Sequence, residues 1–329
     1  MSLRWAVLIG AAGLVLTACG GDPTRGIAAE PAQAPEATRP PAGRVVEVGR
    51  NPEGLVADAV TGLVAVAVRD PARLVLLDGD DGAVRTAVPL RGTLRHLQLA
   101  APGGPVLVPV EQADELVRVT LPGGGVSPGV RTGRGPHDAA AAANGLVFVA
   151  DEFGATVTVI DGGRAVATLP GPVQPGGIAA AGNLVGLIDV AASTLIVYDA
   201  TTRTAAEPVS AGGGPTHLVA DLRGRFILTD TRGDALLVFE PGGREPVSST
   251  PLPGRPYGIA HDAERDRVWV TLTDRNELVG FDLASGTPVE VVRVPTVRQP
   301  NTVAVDGRTG RVFVAGAAEG VLQLYDPPA

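Results

Sequence analysis

The stretch LVFVADEFGATVTVID, residues 146–161, shows how the chain is built. It contains two short apolar runs rich in Val, separated by a turn around Gly154, and it ends in an acid. Runs of this length and composition between turn residues are typical of β-strands. Asn144-Gly145 stands directly before the stretch and is a strong signal for a tight hairpin turn from an earlier strand. The stretch therefore predicts part of an antiparallel β unit.

The same pattern occurs seven times between Asn51 and the C-terminus. Each unit has a turn, usually with Pro, then a strand, a tight turn, a second strand and an apolar run that ends in an acid. The units recur roughly every 40 residues, the period of four-stranded propeller blades. They begin at Asn51-Pro52, Thr93-Leu94, Gly135-Pro136, Gln174-Pro175, Gly214-Pro215, Arg255-Pro256 and Gln299-Pro300. The sequence predicts an all-β fold, a seven-bladed β-propeller over residues 43–329.

The two ends of this region predict how the ring closes. The seventh unit stops at Tyr325-Asp326, directly after its third strand, and residues 44–48 form an unassigned strand before the first unit. We expect residues 44–48 to supply the missing outer strand of the last blade. The second unit departs most from the pattern, with Leu94 in place of Pro and Thr120 in place of the terminal acid.

Residues 146–161, and Arg255-Pro-Tyr-Gly-Ile-Ala-His-Asp262 at the head of the sixth unit, resemble the YVTN-type β-propeller repeat. The resemblance implies the fold. Proteins with similar repeats include surface-layer and periplasmic proteins, and lactonase-like and streptogramin-lyase-like enzymes use similar scaffolds. Because one fold hosts many functions, the resemblance does not choose among them.

The N-terminal residues predict export. Residues 1–18 combine Arg4, an apolar run and Leu16-Thr17-Ala18 before Cys19, which is typical of a signal peptide. The end of this segment resembles the bacterial lipobox, which implies cleavage before Cys19 and a lipid on that residue; an ordinary secretory signal is the alternative. The Pro- and Ala-rich residues 19–42 predict a flexible tether. We expect a lipid-anchored domain on the extracytoplasmic side of the membrane, at the outer surface or in the periplasm.

Composition limits the function classes. The net charge of -8 disfavours nucleic acid as a partner, and 3% aromatic residues are too few for a base-stacking platform. The single cysteine excludes paired-cysteine sites, and the sequence has no His-Glu-x-x-His, Gly-x-Ser-x-Gly or Lys-containing phosphate loop. We expect a monomeric domain and predict no cofactor, with a divalent metal as the less favoured alternative.

The candidate site lies where the repeat brings polar residues to one face. In propellers, the turn that enters the innermost strand and the loop after the second strand surround one end of the central channel. His96, Asp138 and His217 occupy positions there where the repeat commonly has Gly. His261 falls in a turn of the opposite face. The predicted ligand-binding rim consists of Glu53, His96, His137, Asp138, His217, Tyr257, Asn301, Asp151, Asp189 and Asp230.

These residues leave several chemical interpretations open. His and carboxylate side chains are metal ligands and acid–base pairs, but acids that close a strand often only accept hydrogen bonds from loop N–H groups. Histidines from separate blades are expected to stand too far apart to share one ion unless a water or substrate bridges them. Arginines near the same turns either bind an anionic ligand or neutralise the acids, and we favour the second. They are Arg50, Arg95, Arg134, Arg255 and Arg298.

Two functions are compatible with these residues. The favoured one is a non-catalytic binding module that takes a small molecule, an envelope polymer or a protein at its channel face, because nothing in the sequence assembles a nucleophile, a base and an oxyanion site. The alternative is a metal-assisted hydrolase or lyase. It would use His96, His137 or His217 as base, with Asp138 or Glu53 as a metal ligand or partner.

Overall fold

A computed structural model describes residues 28–328 as a ring of seven antiparallel sheets. The first strands of neighbouring blades contact each other, so they form the wall of a central channel. The prediction of seven four-stranded blades is confirmed, with a small fifth strand added in blade 4. Blade 1 has β2 (Arg50–Asp58), β3 (Leu63–Asp70), β4 (Ala72–Asp78) and β5 (Val84–Pro89); blade 2 has β6 (Gln98–Leu99), β7 (Val106–Val110), β8 (Glu115–Val119) and β9 (Val130–Arg131); blade 3 has β10 (Pro136–Ala141), β11 (Val147–Asp151), β12 (Thr156–Asp161) and β13 (Arg164–Pro170). Blade 4 has β14 (Pro175–Ala181), β15 (Leu184–Asp189), β16 (Thr194–Asp199), β17 (Thr204–Ala205) and β18 (Val209–Ser210); blade 5 has β19 (Pro215–Ala220), β20 (Phe226–Asp230), β21 (Ala235–Phe239) and β22 (Ser248–Pro251); blade 6 has β23 (Pro256–Asp262), β24 (Arg267–Leu272), β25 (Glu277–Asp282) and β26 (Val289–Pro295); blade 7 has β27 (Pro300–Val305), β28 (Val312–Gly316), β29 (Val321–Tyr325) and β1 (Arg44–Glu47).

The last blade is closed by the N-terminal strand, as the sequence predicted. β1 pairs antiparallel with β29, so the order in blade 7 is β1-β29-β28-β27. The backbone of Ala42 extends this closure: its amide donates to the Pro295 carbonyl, and its carbonyl accepts a 2.7 Å hydrogen bond from Gln323 Nε2. The two ends of the ring therefore hold each other.

The core is divided among the blade interfaces. Seven clusters of buried apolar side chains occur in the described residues, one at each contact between neighbouring sheets. Val, Leu and Ala make up most of them, and large rings such as Phe313 and Trp269 fill the wider gaps. Small branched side chains suit the narrow space between stacked β-sheets. Every sheet therefore shares buried apolar contacts with both of its neighbours.

An irregularity in the first strands places the site residues. In six blades the pairing of the first strand with the second shifts register just after the strand's opening Pro, for example between Pro136 and Asp138 and between Pro215 and Leu218. Such bulges redirect side chains away from the regular alternation of a strand. We call the end of the ring where the first strands begin the mouth face. The residues that follow each Pro are turned toward the channel there.

Blade 2 lacks the opening Pro, and its first strand is correspondingly short. β6 has only two residues, preceded by an isolated bridge between Leu94 and Val110, and a 3-10 turn, Glu111–Ala113, follows the second strand. Arg95 and His96 lie between the bridge and β6. They occupy the same mouth-face position as the residues after Pro in other blades.

The segment before the propeller lies on the mouth face. We call residues 28–36 the strap. Ala28 packs against the cluster between blades 4 and 5, and the Ala32 amide donates to Thr273 Oγ1 of blade 6. In blade 7, Gln299 pairs with the strap backbone, accepting from the Ala34 amide at 2.8 Å and donating to the Ala32 carbonyl at 2.8 Å. The part of the predicted tether from residue 28 onward is therefore held against the domain. Residues 1–27, which include the predicted signal peptide and Cys19, lie outside the described residues.

None of the helices within residues 28–328 is long and apolar enough to cross a membrane.

Candidate functional site

Three histidines from three blades meet at the mouth of the channel. Nε2 of His96 lies 3.0 Å from Nε2 of His217, and the ring centroids are 4.4 Å apart. The His137 ring packs edge-on against His96 at 4.8 Å. One ring nitrogen from each residue lies within 4.8 Å of the others. We call this group the histidine cluster. The expectation that histidines from separate blades stand too far apart to share an ion is therefore wrong.

The fold explains why these side chains converge. His96 and His217 stand at equivalent positions of blades 2 and 5, where their side chains reach across the channel toward each other. The His96 amide donates to the His137 carbonyl, which joins the first strands of blades 2 and 3. In blade 4 the equivalent residue is Gly177, and a Cβ there would lie 2.8 Å from the Thr216 carbonyl oxygen. This glycine lets the strand that carries His217 approach closely.

The histidine cluster is held uncharged. All three side chains are largely buried, and burial lowers the pKa of each well below its ordinary value of 6.5. The neighbouring imidazoles and the Arg95 guanidinium lower these pKa values further. The Gly176 carbonyl near His137 and the Tyr257 carbonyl near His217 act to raise these two pKa values, but neither Nδ1 makes a hydrogen bond of good geometry. At neutral pH the mouth therefore presents neutral imidazoles with lone pairs available.

Arg95 is surrounded by carboxylates beside the histidine cluster. Its guanidinium nitrogens lie 3.3 Å from Glu53, 3.3 Å from Glu111 and 3.4 Å from Glu152. Burial acts to lower the pKa of Arg95, but these carboxylates raise it above its ordinary value. Arg69 also pairs with Glu53, at 2.8 Å. The group around Arg95 thus carries more negative than positive charge.

The other predicted arginines also have partners among the described residues, but only Arg50 and Arg298 pair there with acids, as the sequence favoured. Arg50 pairs with Asp70, and Arg298 pairs with Glu36 of the strap. Arg134 donates to the Phe153 carbonyl, and Arg255 lies near the carbonyls of Thr231 and Arg232. An anionic ligand would have to compete with these contacts.

Tyr257 packs against the histidine cluster, and Asn301 lines the cavity below it. The Tyr257 ring packs edge-on against His217, with centroids 4.6 Å apart. Burial raises the pKa of Tyr257, and the carboxylates of Glu53 and Glu30 add to the effect. Asn301 lines the channel and accepts a hydrogen bond from Gln299, the residue that also binds the strap. Gln299 therefore connects the strap to a residue that lines the channel.

Asp138 lines the channel but is held by its own neighbours. One oxygen accepts hydrogen bonds from Gln98 Nε2 and from its neighbour's amide, that of Ala139, and the other accepts from the Ile178 amide. Burial raises the pKa of Asp138 to about 7. The structure places neither Asp138 nor Glu53 in the histidine cluster, because hydrogen bonds engage the first carboxylate and arginines engage the second. The proposed metal-ligand role of these two acids is therefore not supported.

The remaining predicted acids close the loops of their own blades. Asp189 accepts from the amides of Val173, Gln174 and Ala192; Asp230 accepts from those of Gly213, Gly214 and Gly233; Asp151 accepts from the hydroxyls of Thr156 and Thr158. Burial raises the pKa of Asp151 to about 6. These three carboxylates are the hydrogen-bond acceptors that repeated strand-closing turns require. They do not reach the histidine cluster.

The channel continues below the histidine cluster as a cavity of about 380 Å³. His96, Asp138 and His217 border its upper end, and His261 lies at its far end, 3.7 Å from Asp266.

Sequence reasoning missed two parts of this arrangement. Gln98, which holds Asp138, falls outside the two rim positions considered in each unit. Sequence reasoning favoured pairing of Arg95 with acids of the rim, but it did not single out Glu53, Glu111 and Glu152 as its partners, because these residues come from three different blades and have no local signature.

Comparisons with known proteins identify the fold. No family model matches the sequence, and no curated protein is similar to it. Among solved structures, a chain of the mitotic checkpoint complex has a TM-score of 0.76 at 11% identity, covering 92% of this chain and 97% of that one. Virginiamycin B lyase from Staphylococcus aureus has a TM-score of 0.72 at 15% identity, covering 86% and 98%. Hydrazine synthase of Kuenenia stuttgartiensis has a TM-score of 0.69 at 14% identity, covering 84% and 96%. At these identities the chain shares a propeller fold with all three.

Proposed function

We propose that the protein is an extracytoplasmic, lipid-anchored binding module that takes a small ligand at the mouth of its channel. One observation carries the proposal: three uncharged imidazoles meet at the mouth beside the Tyr257 ring and the Arg95 group, and two of them, His96 and His217, border a cavity of about 380 Å³ below. Buried polar atoms without partners cost folding free energy, and natural proteins accept that cost mainly at functional sites. The two unpartnered Nδ1 atoms of the histidine cluster therefore favour a binding role over a structural one.

The charges at the mouth favour a neutral or cationic ligand. Glutamates outnumber the arginines they surround, and the arginines have partners within the protein. A cation would be attracted by this arrangement, whereas a phosphate or carboxylate would be repelled by the glutamates.

The test is thermal unfolding of the protein with a panel of envelope constituents: amino sugars, cell-wall peptides and polyamines. A ligand of the folded state raises the melting temperature, by an amount that grows with its concentration. We expect a panel member to stabilise the wild type and to stabilise Tyr257→Ala markedly less, because Tyr257 borders the cluster. Equal stabilisation of both proteins, or of neither, would contradict the proposal.

The second candidate is a metal-assisted hydrolase or lyase. Asp138 favours it, because the carboxyl lines the same cavity as His96 and His217 and its pKa of about 7 suits general acid–base catalysis near neutral pH. The assay is turnover of lactones and of a streptogramin B compound such as quinupristin. We expect turnover by the wild type and none by Asp138→Asn; the absence of turnover in the wild type would count against the enzyme.

A further inference from the structure

The histidine cluster has the dimensions of a metal site. Two nitrogens bound to one ion at about 2.0–2.1 Å with tetrahedral angles lie about 3.3 Å apart. Nε2 of His96 and Nε2 of His217 are 3.0 Å apart. The two rings would need to move apart by only a few tenths of an ångström for both nitrogens to bind one ion. The His137 nitrogen lies within 4.8 Å of the others, so it needs an inward movement of up to about 1.5 Å to reach the same separation.

Hydrogen bonding alone leaves this cluster poorly satisfied. Each neutral imidazole has one N–H donor and one lone pair. Between Nε2 of His96 and Nε2 of His217, one nitrogen donates and the other accepts, whereas Nδ1 of His137 and Nδ1 of His217 make no hydrogen bond of good geometry. An ion between the rings accepts a lone pair from Nε2 of both His96 and His217, which places the proton of each ring on its Nδ1; for His217 that Nδ1–H faces the Tyr257 carbonyl.

The donor set selects a class of ion. Three imidazoles offer nitrogen only, and the nearest carboxylates are engaged by Arg95 and Arg69. Mg²⁺ and Ca²⁺ prefer oxygen ligands, whereas Zn²⁺, Co²⁺, Ni²⁺ and Cu²⁺ bind imidazole well. Three protein ligands also leave a fourth position open, as exchangeable and catalytic zinc sites do.

The electrostatic surroundings permit a divalent ion. Arg95 lies close to the imidazoles and opposes a cation, but Glu53, Glu111 and Glu152 surround its guanidinium. The net charge of this group is negative even when Arg69 is included. Carboxylates beyond the ligands commonly favour a metal in this way.

We propose that His96, His137 and His217 form a three-histidine site for a divalent first-row transition-metal ion, with one coordination position open at the channel mouth. The proposal rests on the proposed function, because the ion occupies the centre of the binding site suggested there. The three residues act as ligands through ring nitrogens and need no further residue of the chain.

The experiment is a Co²⁺ titration of the full chain in detergent, with Cys19→Ser to remove the only thiol. Tetrahedral nitrogen coordination gives Co²⁺ an intense visible d–d absorption, and metal analysis gives the stoichiometry. We expect one Co²⁺ per chain, displaced by Zn²⁺, and a loss of affinity of a hundredfold or more in His96→Ala and His217→Ala, since even outer-shell changes cost 10–100-fold. His261→Ala is the matched control, because His261 lies at the far end of the channel; we expect it to bind like the wild type.

The absence of a Co²⁺ band, or equal binding by His96→Ala, His217→Ala and His261→Ala, would overturn the proposal. Should an alanine variant fail to fold, His96→Gln and His217→Gln replace it, with circular dichroism as the check on folding. The ligand panel with Tyr257→Ala is independent of this result. If Co²⁺ does not bind but a panel member stabilises the wild type more than Tyr257→Ala, the metal site is refuted and the binding module stands. If Co²⁺ binds but no panel member stabilises the wild type, the metal site stands and the proposed organic ligand is refuted.

Discussion

At the scale of single residues, the buried imidazoles make stability depend on pH. Their pKa values are lowered in the folded protein, so the unfolded chain binds more protons once the pH falls below about 6.5. Stability contributed by the neutral forms is complete above that pH and is lost as the pH falls toward the folded-state values. Each group adds a slope of at most about 1.4 kcal/mol per pH unit, reached where it is protonated in the unfolded chain and neutral in the folded protein. Asp138 and Asp151 act oppositely, because their pKa values are raised.

A comparison of two proteins isolates the effect of the imidazoles. The second protein is the double variant that carries both His96→Gln and His217→Gln. In urea unfolding, with EDTA present to remove metal ions, we expect the wild type to lose more free energy of unfolding between pH 7 and pH 5 than the double variant does. The contributions of the carboxyls are common to both proteins and cancel. Parallel pH profiles would show that the imidazoles are not held uncharged by burial.

Arg95 differs sharply from Arg50, although both stand near blade turns. The Arg95 side chain is 17% exposed among three carboxylates, whereas Arg50 is 78% exposed and pairs with the half-exposed Asp70. Removing one partner of a buried ionic group costs about 3 kcal/mol, because the remaining charges lose their compensation. We expect Arg95→Met to lower the free energy of unfolding by about that amount and Arg50→Ala to change it by less than about 0.5 kcal/mol. Chemical denaturation measures both, and similar losses would mean that the Arg95 group is solvated like a surface pair.

At the scale of strands, close packing of the inner strands positions the histidines. A Cβ at Gly177 would lie 2.8 Å from the Thr216 carbonyl oxygen and 3.0 Å from His217 Cα. We expect Gly177→Ala to push β19 away and to destabilise the domain by about 1–3 kcal/mol, as overpacking does. Gly123→Ala is the control, because nothing lies within 4 Å of its Cβ. Unchanged stability of Gly177→Ala, seen in thermal unfolding, would show that the strand can shift freely.

The strap can be tested through Gln299. This side chain makes hydrogen bonds to both the amide of Ala34 and the carbonyl of Ala32. Gln299→Ala removes both, and we expect faster amide hydrogen exchange in residues 28–36 with little change in the blades. Mass spectrometry of the corresponding peptides measures this; Gln112→Ala, which changes an exposed glutamine of blade 2, serves as the comparison. Equal exchange in wild type and Gln299→Ala would show that the strap is held by other contacts.

The blades were predictable from the sequence, whereas the site was predictable only in part. Each blade repeats its own local signals, namely turn residues and Val-rich strands, so the number of blades and the closure by β1 follow from short segments. The contact between His96 and His217 depends on the width of the channel and on side-chain direction, which no segment encodes. The strap has no apolar period, and its contacts are mostly backbone hydrogen bonds to Gln299 and Thr273. Its attachment therefore left no recognisable pattern.

At the scale of the whole molecule, the strap determines which face would approach the membrane. If Cys19 carries the lipid, as we propose, only eight residues lie between it and Ala28, which packs on blades 4 and 5 at the mouth face. At about 3.3–3.6 Å per residue, that connection spans at most about 30 Å. A tether that was free from residue 19 to residue 42 would let the domain turn in any direction. The docked strap restricts it, so the mouth face is expected to lie toward the lipid.

The orientation can be measured by energy transfer from a single fluorophore to acceptors in the membrane. With Cys19 lipidated, the chain has no other cysteine, so Phe153→Cys and Leu222→Cys each provide one labelling site. Phe153 is exposed in a loop of the mouth face, and Leu222 is exposed in a turn of the opposite face. We expect stronger transfer from position 153 than from position 222 in vesicles carrying the anchored protein. Equal transfer would mean that the strap detaches on the membrane, and release of Cys19→Ser from the vesicles provides the control for anchoring itself.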